Sequence, residues 1–426
     1  MKARSRILVL ATGLPLVLLA QPVELTLEEA VDTALRNDPA IRAAEREIEA
    51  AAARVRQARA GYLPQIGVSG LSKRGLSGAM NHLEPAGLAN SPLFRNTAIG
   101  VELTQPVLDF GRNANRLRSE RMRQAATTAD LDAVKSETAL RVHAGYFNLL
   151  RAQRAHAVAA EVARSRDATL RQTQAFYDVK LRSRVDLEIA RASLAEADLA
   201  LLRTRTGIAS ANAEFGRAIG ASQEAEYSPS DPGASLPDLP GLEVMLETAR
   251  SHRPELRSLG ARLSAARAET ELTRRRRWPY LALAYTGGYA RFTEMVAGNL
   301  MAGGVGLLMP IFTGGLLRGQ VEEAEAVASA IEARLEDLRQ QVELEVRFAW
   351  LSLRDSIDAL PALQVRAESA HRATQLARER YRERLGSIVE LTQAETALAE
   401  AEATLAVAAF DARTAAARLR YAAGLW

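Results

Sequence analysis

The sequence has no cysteine among its 426 residues, and only 5% of its residues are aromatic. The lack of cysteine excludes disulfide frameworks, cysteine-ligated metals and thiol catalysis, and it fits an exported protein without proving export. The five histidines do not have the spacing of metal ligands, and neither a nucleophile–base pattern nor a phosphate-binding loop is present. We therefore predict no enzyme activity, no metal site and no cofactor.

Long apolar runs are also lacking, except near the N-terminus. Residues 7–20 form an apolar stretch that follows Lys2, Arg4 and Arg6. The stretch is too short to span a bilayer as a helix but suits a signal-peptide core, so residues 1–20 are predicted to be a signal peptide. No later segment is predicted to be a transmembrane helix, so any insertion into a membrane would have to use strands.

An excess of charge is missing too. Residues 1–20 contain three of the 55 basic residues, and the remaining ones nearly balance the 51 acidic residues. The basic isoelectric point therefore gives no argument for nucleic acid binding. One local run, "RRRR" at 274–277, could meet anionic lipid headgroups or could be a solvated helix end.

What the sequence does contain is an internal repeat. "PVLDFGR" at 106–112 and "PIFTGGL" at 310–316 lie 204 positions apart, with Pro and Gly at the same places in both. A repeat of this length decides the architecture. We predict a first structural repeat over 21–220, a Pro- and Ser-rich linker over 221–241 and a second repeat over 242–426.

Each repeat is predicted to follow the order helix, helix, strand, loop, strand, long helix, helix. The predicted bounds are helices 25–61, strands about 63–72 and 97–108 and long helices 112–220 in the first repeat, and helices 242–277, strands about 279–291 and 302–312 and long helices 316–424 in the second. The loop between the first two strands is the longer one and is rich in turn-forming residues.

The predicted strands alternate between apolar and small or polar residues. In 99–104 one face carries Ile99, Val101 and Leu103, and the other carries Gly100, Glu102 and Thr104. The alternation suits a membrane-barrel strand and equally a soluble sheet packed on one side. Tyr62, Trp278 and Tyr280 at strand starts favour the membrane, where aromatic residues gather at the interface. Because membrane barrels begin at about eight strands, several copies would have to share one barrel.

The last helix of each repeat has the apolar spacing of a coiled coil. The seam residues are Leu187, Ala190, Leu194, Ala197, Leu201, Thr204, Ile208, Ala211 and Phe215 in the first repeat, and Leu391, Ala394, Leu398, Ala401, Leu405, Ala408, Ala412, Ala415 and Leu419 in the second. Alanine at alternate positions lets neighbouring helices approach closely. The seam is compatible with helices that line a hollow cylinder and with an ordinary antiparallel bundle.

Taken together, the duplicated motifs resemble the TolC-like outer membrane efflux proteins of Gram-negative bacteria. The resemblance is carried by "LTLEEAVDTALRNDPAI", "YLPQIGVSG", "VELTQPVLDFGR", "VGLLMPIFTGGLLRGQVEEA", "FYDVKLRSRVDLEIARASLAEA" and "RYRERLGSIVELTQAETALAEA". It implies a mainly α fold with a transmembrane β-barrel portion, in which a homotrimer shares a twelve-stranded barrel and the helices form a periplasmic α-barrel. Glu102 and Thr104 would then line the barrel lumen.

The resemblance also implies a function and partners. The protein would be a passive exit duct in the outer membrane, surrounded by lipid and extending into the periplasm. Its partners would be a periplasmic adaptor (membrane fusion) protein and an inner-membrane pump, in tripartite efflux or in type I secretion. The alternative is a soluble periplasmic coiled-coil scaffold or adaptor without a pore.

The candidate site lies where the long helices end, in "KLRSRVDLE" and "RLGSIVELTQ". Ser183 with Asp186, and Ser387 with Glu390, each have the Ser-x-x-acid spacing of a capping box. The second hypothesis, which is compatible with the first, is that Glu390, Gln393 and Asp186 line a constriction, where a ring of carboxylates would favour cations.

The same turns are predicted to contact the adaptor. The candidate contact residues are Leu181, Ser183, Val185, Leu385, Ser387 and Val389. The chain departs from the family at Lys180 and Arg384, because a glycine commonly precedes the tip turn at these positions.

Overall fold

The computed structural model describes residues 23–76, 93–231, 238–291 and 298–426. The predicted signal peptide, most of the longer predicted loop and residues 232–237 of the predicted linker lie outside this range. Within it, no helix is both long enough and apolar enough to cross a bilayer.

Apart from two three-residue strands, the described elements follow the predicted order in both repeats. In the first repeat and the segment after it they are β1 (Val23–Leu25), α1 (Leu27–Asn37), α2 (Pro39–Ala60), β2 (Gln65–Leu76), β3 (Leu93–Leu108), α3 (Arg112–Asp178), α4 (Arg184–Ala218) and β4 (Tyr227–Pro229). In the second they are α5 (Leu242–His252), α6 (Pro254–Arg275), β5 (Tyr280–Arg291), β6 (Gly298–Leu308), α7 (Leu316–Arg382) and α8 (Ile388–Ala422). The predicted fold class, mainly helical and internally duplicated, is confirmed.

Local sequence signals explain where the helices begin and end. Thr26 and Glu29 form a complete capping box at the start of α1, and Pro39 and Pro254 are the first residues of α2 and α6, where the missing N–H is tolerated. Gly220 and Gly424 follow α4 and α8 with φ values of 67° and 70°, a conformation that suits glycine best.

The "P…G" motifs are the junctions between a strand and a long helix. Each contains two successive residues with a left-handed backbone, Phe110 and Gly111 in the first repeat and Gly314 and Gly315 in the second. Glycine tolerates this conformation because it has no Cβ. The motif occurs twice because the chain passes from strand to long helix once in each repeat.

The sheet is antiparallel and has the order β2-β3-β5-β6. Leu103 pairs with Ile66 and with Tyr285, so these apolar side chains share one face. On the opposite face, Glu102 pairs with Gly67 and with Thr286. The apolar face is exposed, with Val68 at 74% and Val305 at 64%. The predicted alternation is therefore confirmed across the pairs of the sheet.

The segment predicted as a linker contains a strand that the sequence did not reveal. β4 pairs in parallel with β1, and the hydroxyl of Tyr146 donates a 2.5 Å hydrogen bond to the carbonyl of Ser230 just after β4. Three residues are too few for a periodic pattern, so neither strand was predicted.

The packing units do not coincide with the two repeats. One compact unit consists of the described residues within Met1–Asp38, Thr138–Leu239 and Ala349–Leu419, and its core includes Val142, Tyr146 and Phe215. The other consists of the described residues within Pro39–Glu137, Pro240–Phe348 and Arg420–Trp426 and contains the four-stranded sheet. Each unit thus combines parts of both repeats.

Candidate functional site at the helix tips

Two turns, which we call tip turn 1 (residues 179–183) and tip turn 2 (residues 383–387), connect the long helices to the shorter ones. Lys180 and Arg384 have left-handed backbones, with φ values of 62° and 65°. In each turn this residue and the next donate their N–H groups to carbonyls of the last helical turn, at 2.7–3.2 Å. This is the Schellman arrangement, which usually has glycine at the left-handed position. Both turns therefore have the Schellman geometry although neither Lys180 nor Arg384 is glycine.

Tip turn 1 continues into a complete capping box. The hydroxyl of Ser183 accepts a hydrogen bond from the N–H of Asp186 at 3.2 Å, and the Asp186 carboxylate accepts one from the N–H of Ser183 at 3.0 Å. The predicted box is confirmed here. It holds the start of α4, because two N–H groups without helical partners are satisfied reciprocally.

Tip turn 2 forms only half of the predicted box. Ser387 accepts from the N–H of Glu390 at 3.1 Å. The Glu390 carboxylate instead pairs with Arg380, whose Nε lies 3.0 Å away. The arginine one helical turn before the tip competes successfully for the carboxylate, since a charge-assisted bond is stronger than one to a neutral N–H.

Arg182 ties the two tip turns together. Its Nη2 donates to the carbonyls of Tyr381 and Gly386, at 3.1 and 3.0 Å, and its guanidinium lies over the Tyr381 ring at 4.4 Å. Two backbone acceptors and one ring thus hold a single side chain. Its Nε is buried and has no hydrogen-bond partner among the described residues. Arg182 and Gly386 are equivalent in the two repeats, so this contact crosses the duplication.

The tyrosine under Arg182 is fully buried. The Tyr381 hydroxyl lies 3.0 Å from the Thr173 hydroxyl. Burial raises the pKa of Tyr381 above its ordinary value, and the hydrogen bond with Thr173 and the charge of Arg182 oppose that rise. Tyr177, at the equivalent position of the first repeat, is 36% exposed. The two tips therefore share a backbone but differ in their side-chain environments.

A buried charge cluster lies along the helices above the tips. Arg166 donates to Glu395 at 2.8 Å, and both side chains are at least 94% buried. Arg378 adds a second ion pair to the same carboxylate at 3.2 Å, and the Thr169 hydroxyl donates to it at 3.0 Å. One carboxylate therefore compensates two guanidinium groups, so its loss would leave both without a counter-charge.

The predicted constriction residues do not meet within one chain. Glu390 and Gln393 are exposed and Asp186 is half-buried. In the part of the chain that the structure describes, no hydrogen bond or ion pair links Asp186 to Glu390. Their role as a gate stays a prediction, since a ring would need further copies of the chain.

All six predicted adaptor contacts lie on the surface of the tips. The exposed fractions of the apolar ones are 41% for Leu181, 66% for Val185, 72% for Leu385 and 46% for Val389. Ser183 and Ser387 are exposed as well. Four exposed apolar side chains, on the two tip turns and on the first residues of α4 and α8, form a surface that a partner can cover.

Glu102 and Thr104 lie on the small and polar face of the four-stranded sheet. The Glu102 side chain lies over Gly67, 3.5 Å from the position that a Cβ on this glycine would occupy. Thr104 pairs with Gln65 and with Ala284. If the two residues line a barrel lumen, this polar face must point into it. That role remains a prediction.

Sequence reasoning missed Arg182, Arg380 and Tyr381, which make the contacts within the tips. A usable signal existed for the first of them. Comparing the repeats position by position places Arg182 opposite Gly386, and a long cation opposite a residue without a side chain indicates an asymmetric contact.

Comparisons with known proteins agree with the duplicated architecture. The family model "Outer membrane efflux protein" matches residues 30–221 and 245–425. Protein CyaE of Bordetella pertussis is 26% identical over 417 residues, which are 94% of this chain and 84% of the relative.

Two solved structures have the same fold. The outer-membrane channel OprN has a TM-score of 0.84 at 21% identity and covers 93% of this chain, with 89% of its own length matched. The outer membrane protein VceC of Vibrio cholerae has a TM-score of 0.82 at 20% identity, with 93% of this chain and 96% of that chain covered.

Proposed function

Because this chain belongs to the outer membrane efflux protein family, we propose that three copies form one continuous duct whose helix tips are both its gate and its docking surface. Membership makes the protein an outer-membrane efflux channel, the exit duct of a tripartite efflux or type I secretion system, and not an enzyme. The alternative of a soluble scaffold without a pore is thereby set aside.

The open sheet is the observation that carries the proposal of a shared barrel. Among the described strands, β2 and β6 each pair on one side only. Unpaired edges invite pairing with another chain, and a sheet with an exposed apolar face can lie in lipid only if its edges are closed. Four strands from each of three chains give the twelve that the family resemblance implies. Glu102 and Thr104 then face the lumen.

The proposed gate uses the charges at the tips. Three copies would place three Glu390 carboxylates around one axis, with Gln393 one helical turn further along and Asp186 on the neighbouring helix. Such a ring lowers the energy of a cation in the constriction and raises that of an anion. Arg380 holds Glu390 in place and partly offsets its charge.

The proposed docking surface consists of exposed residues of both tip turns and of the first turns of α4 and α8. Leu181, Val185, Leu385 and Val389 would be covered by a periplasmic adaptor, which an inner-membrane pump engages in turn. Ser183 and Ser387 lie beside them and retain hydroxyl lone pairs for a partner. The cargo is left to the pump and the adaptor, because a passive duct selects mainly by size and charge.

A planar bilayer recording tests the channel and its gate. The mature protein, purified in detergent, should give discrete conductance steps, and Glu390→Gln should reduce the preference for cations over anions. Glu400→Gln is the matched control, because Glu400 lies on the same helix in an exposed ion pair. Unchanged selectivity in the Glu390 variant would remove this carboxylate from the gate, and selectivity lost equally in the control would point to a general effect of surface charge.

A further inference from the structure

The apolar face of the sheet has a definable end near the long helices. On β5 it runs from Leu281 to Tyr289, through Leu283 and Tyr285. That is about 26 Å along the strand, which matches the apolar band of roughly 25 Å in outer-membrane barrels. Residues just before Leu281 therefore lie at the boundary between hydrocarbon and headgroups.

Exposed apolar side chains surround this boundary. Trp278, three residues before Leu281, is 54% exposed, and its ring packs on Phe110 with 5.5 Å between centroids. Tyr280 pairs with Leu308, so the residues after β6 emerge at the same end of the sheet. Among them, Ile311 and Phe312 are 96% and 89% exposed. Aromatic and apolar groups at this depth are typical of a membrane interface.

The basic run at 274–277 ends at this boundary, and its members have different roles. Arg274 pairs with Glu271 and Glu325, Arg275 donates to the carbonyl of Phe110, and Arg276 donates to Gln320. Three of the four guanidinium groups therefore hold the end of α6 to its surroundings.

Arg277 is different, because it is exposed and has no hydrogen-bond or ion-pair partner among the residues that the structure describes. It directly precedes Trp278, at the point where the apolar face ends. A guanidinium group is suited to bidentate bonding of a phosphate and is only weakly hydrated. Its position beside an interfacial tryptophan brings it to the depth of lipid phosphates.

We propose that Arg277 binds the phosphate of a glycerophospholipid in the periplasmic leaflet, with Trp278 against the glycerol and upper acyl region of the same lipid. The proposal rests on the placement of the sheet in the bilayer described above. It assigns the occupant as lipid because the exposed apolar groups continue the face of the sheet and Arg277, which has no partner among the described residues, lies at their edge. A second copy of this chain would be a different occupant of the same surface, and it would have to place a carboxylate opposite Arg277.

Lipid titration tests the phosphate contact. The full mature protein in detergent is heated with increasing phosphatidylglycerol, and the midpoint of unfolding is followed for wild type, Arg277→Gln and the control Arg205→Gln. Arg205 is also exposed and lacks a partner within the described residues, but it lies on α4. We expect Arg277→Gln to need about fivefold more lipid for half of the effect, as one basic residue at a lipid surface suggests, and the control to match wild type. The same lipid concentration for half of the rise in unfolding midpoint in all three proteins would overturn the proposal. So would a rise with inorganic phosphate that equals the rise with lipid.

Tryptophan fluorescence tests the position of the site. Trp350→Phe with Trp426→Phe leaves Trp278 as the single tryptophan, because the chain has three. In vesicles of lipid brominated near the headgroup we expect strong quenching of Trp278. Weak quenching in a protein that still conducts would overturn the lipid site and leave the channel intact, whereas weak quenching together with no conductance would count against the proposed function itself.

Discussion

At the scale of single residues, backbone conformation explains several choices in the sequence. Gly111, Gly220, Gly315 and Gly424 all have positive φ values and occupy equivalent positions in the two repeats. Lys180 and Arg384 adopt the same conformation without being glycine, which is unfavourable for a residue with a Cβ. The tips thus keep two side chains at a position where glycine would relieve the strain.

Glycine at these two positions should stabilise the tips. We expect Lys180→Gly and Arg384→Gly each to raise the free energy of local opening by up to about 1 kcal/mol, because the left-handed strain disappears and outweighs the extra freedom of glycine in the unfolded chain. Hydrogen exchange of the tip amides measures it. Arg372→Gly, at an exposed interior position of α7, should instead destabilise by about 1 kcal/mol. Faster exchange in the tip variants would show that the two side chains stabilise the turns.

Gly288 should not tolerate a side chain. A Cβ there would overlap the carbonyl of Ile99 and lie 2.5 Å from the Cα of Gly100, so Gly288→Ala should separate β3 from β5 or shift their register. We expect a loss of about 1–3 kcal/mol, visible as less assembled protein in the outer membrane. Gly304→Ala is the control, since no atom of the described residues lies within 4 Å of a Cβ there. Equal levels of the two variants would contradict the close approach.

Tyr381 should make the tips sensitive to alkali. Its pKa is raised mainly by burial, so its contribution to stability is fully present below the pKa of an unfolded tyrosine, about 10, and is lost as pH rises through the folded value. The protection of the tip turn 2 amides, measured relative to their base-catalysed intrinsic exchange rates, should therefore fall above about pH 10 in wild type and much less in Tyr381→Phe, which keeps the ring under Arg182. Identical pH profiles would exclude ionisation of Tyr381 as the cause.

At the scale of elements, periodicity predicted most of the helices and strands. The seam residues Leu187, Ala190, Leu391 and Ala412 are buried as expected. Periodicity failed where elements were short, as in β1 and β4, and where a specific side chain decides a contact. Glu390 is an example of the second case. Its spacing from Ser387 predicts a capping box, but its carboxylate instead forms an ion pair with Arg380, which lies earlier in the chain.

The buried cluster on α3, α7 and α8 should be sensitive to a loss of charge. Glu395→Gln removes the carboxylate that Arg166 and Arg378 share, and we expect a loss of about 3 kcal/mol of stability. Denaturant or heat unfolding of the protein in detergent measures it. Glu400→Gln breaks an exposed pair on the same helix and should change stability by no more than about 0.5 kcal/mol. Similar losses in both variants would argue against a special role for burial.

At the scale of the whole molecule, the open sheet predicts how chains join. Because the sequence has no cysteine, Ser69→Cys on β2 and Gly304→Cys on β6 introduce the only thiols. A flexible bis-maleimide should give covalent products of two and three chains and none larger, and either cysteine alone should stop at two chains. Electrophoresis under denaturing conditions shows the products. A ladder beyond three chains, or none, would contradict a closed ring of three.

The difference between Arg182 and Gly386 has a consequence for symmetry. A ring of three chains, each with two tip turns, would have six turns of similar backbone conformation around its rim. The rim would nonetheless have only threefold symmetry, because one tip in each pair supplies the arginine and the other receives it. A six-membered partner made of identical subunits would meet two alternating surfaces, so its subunits would have to bind in two different ways.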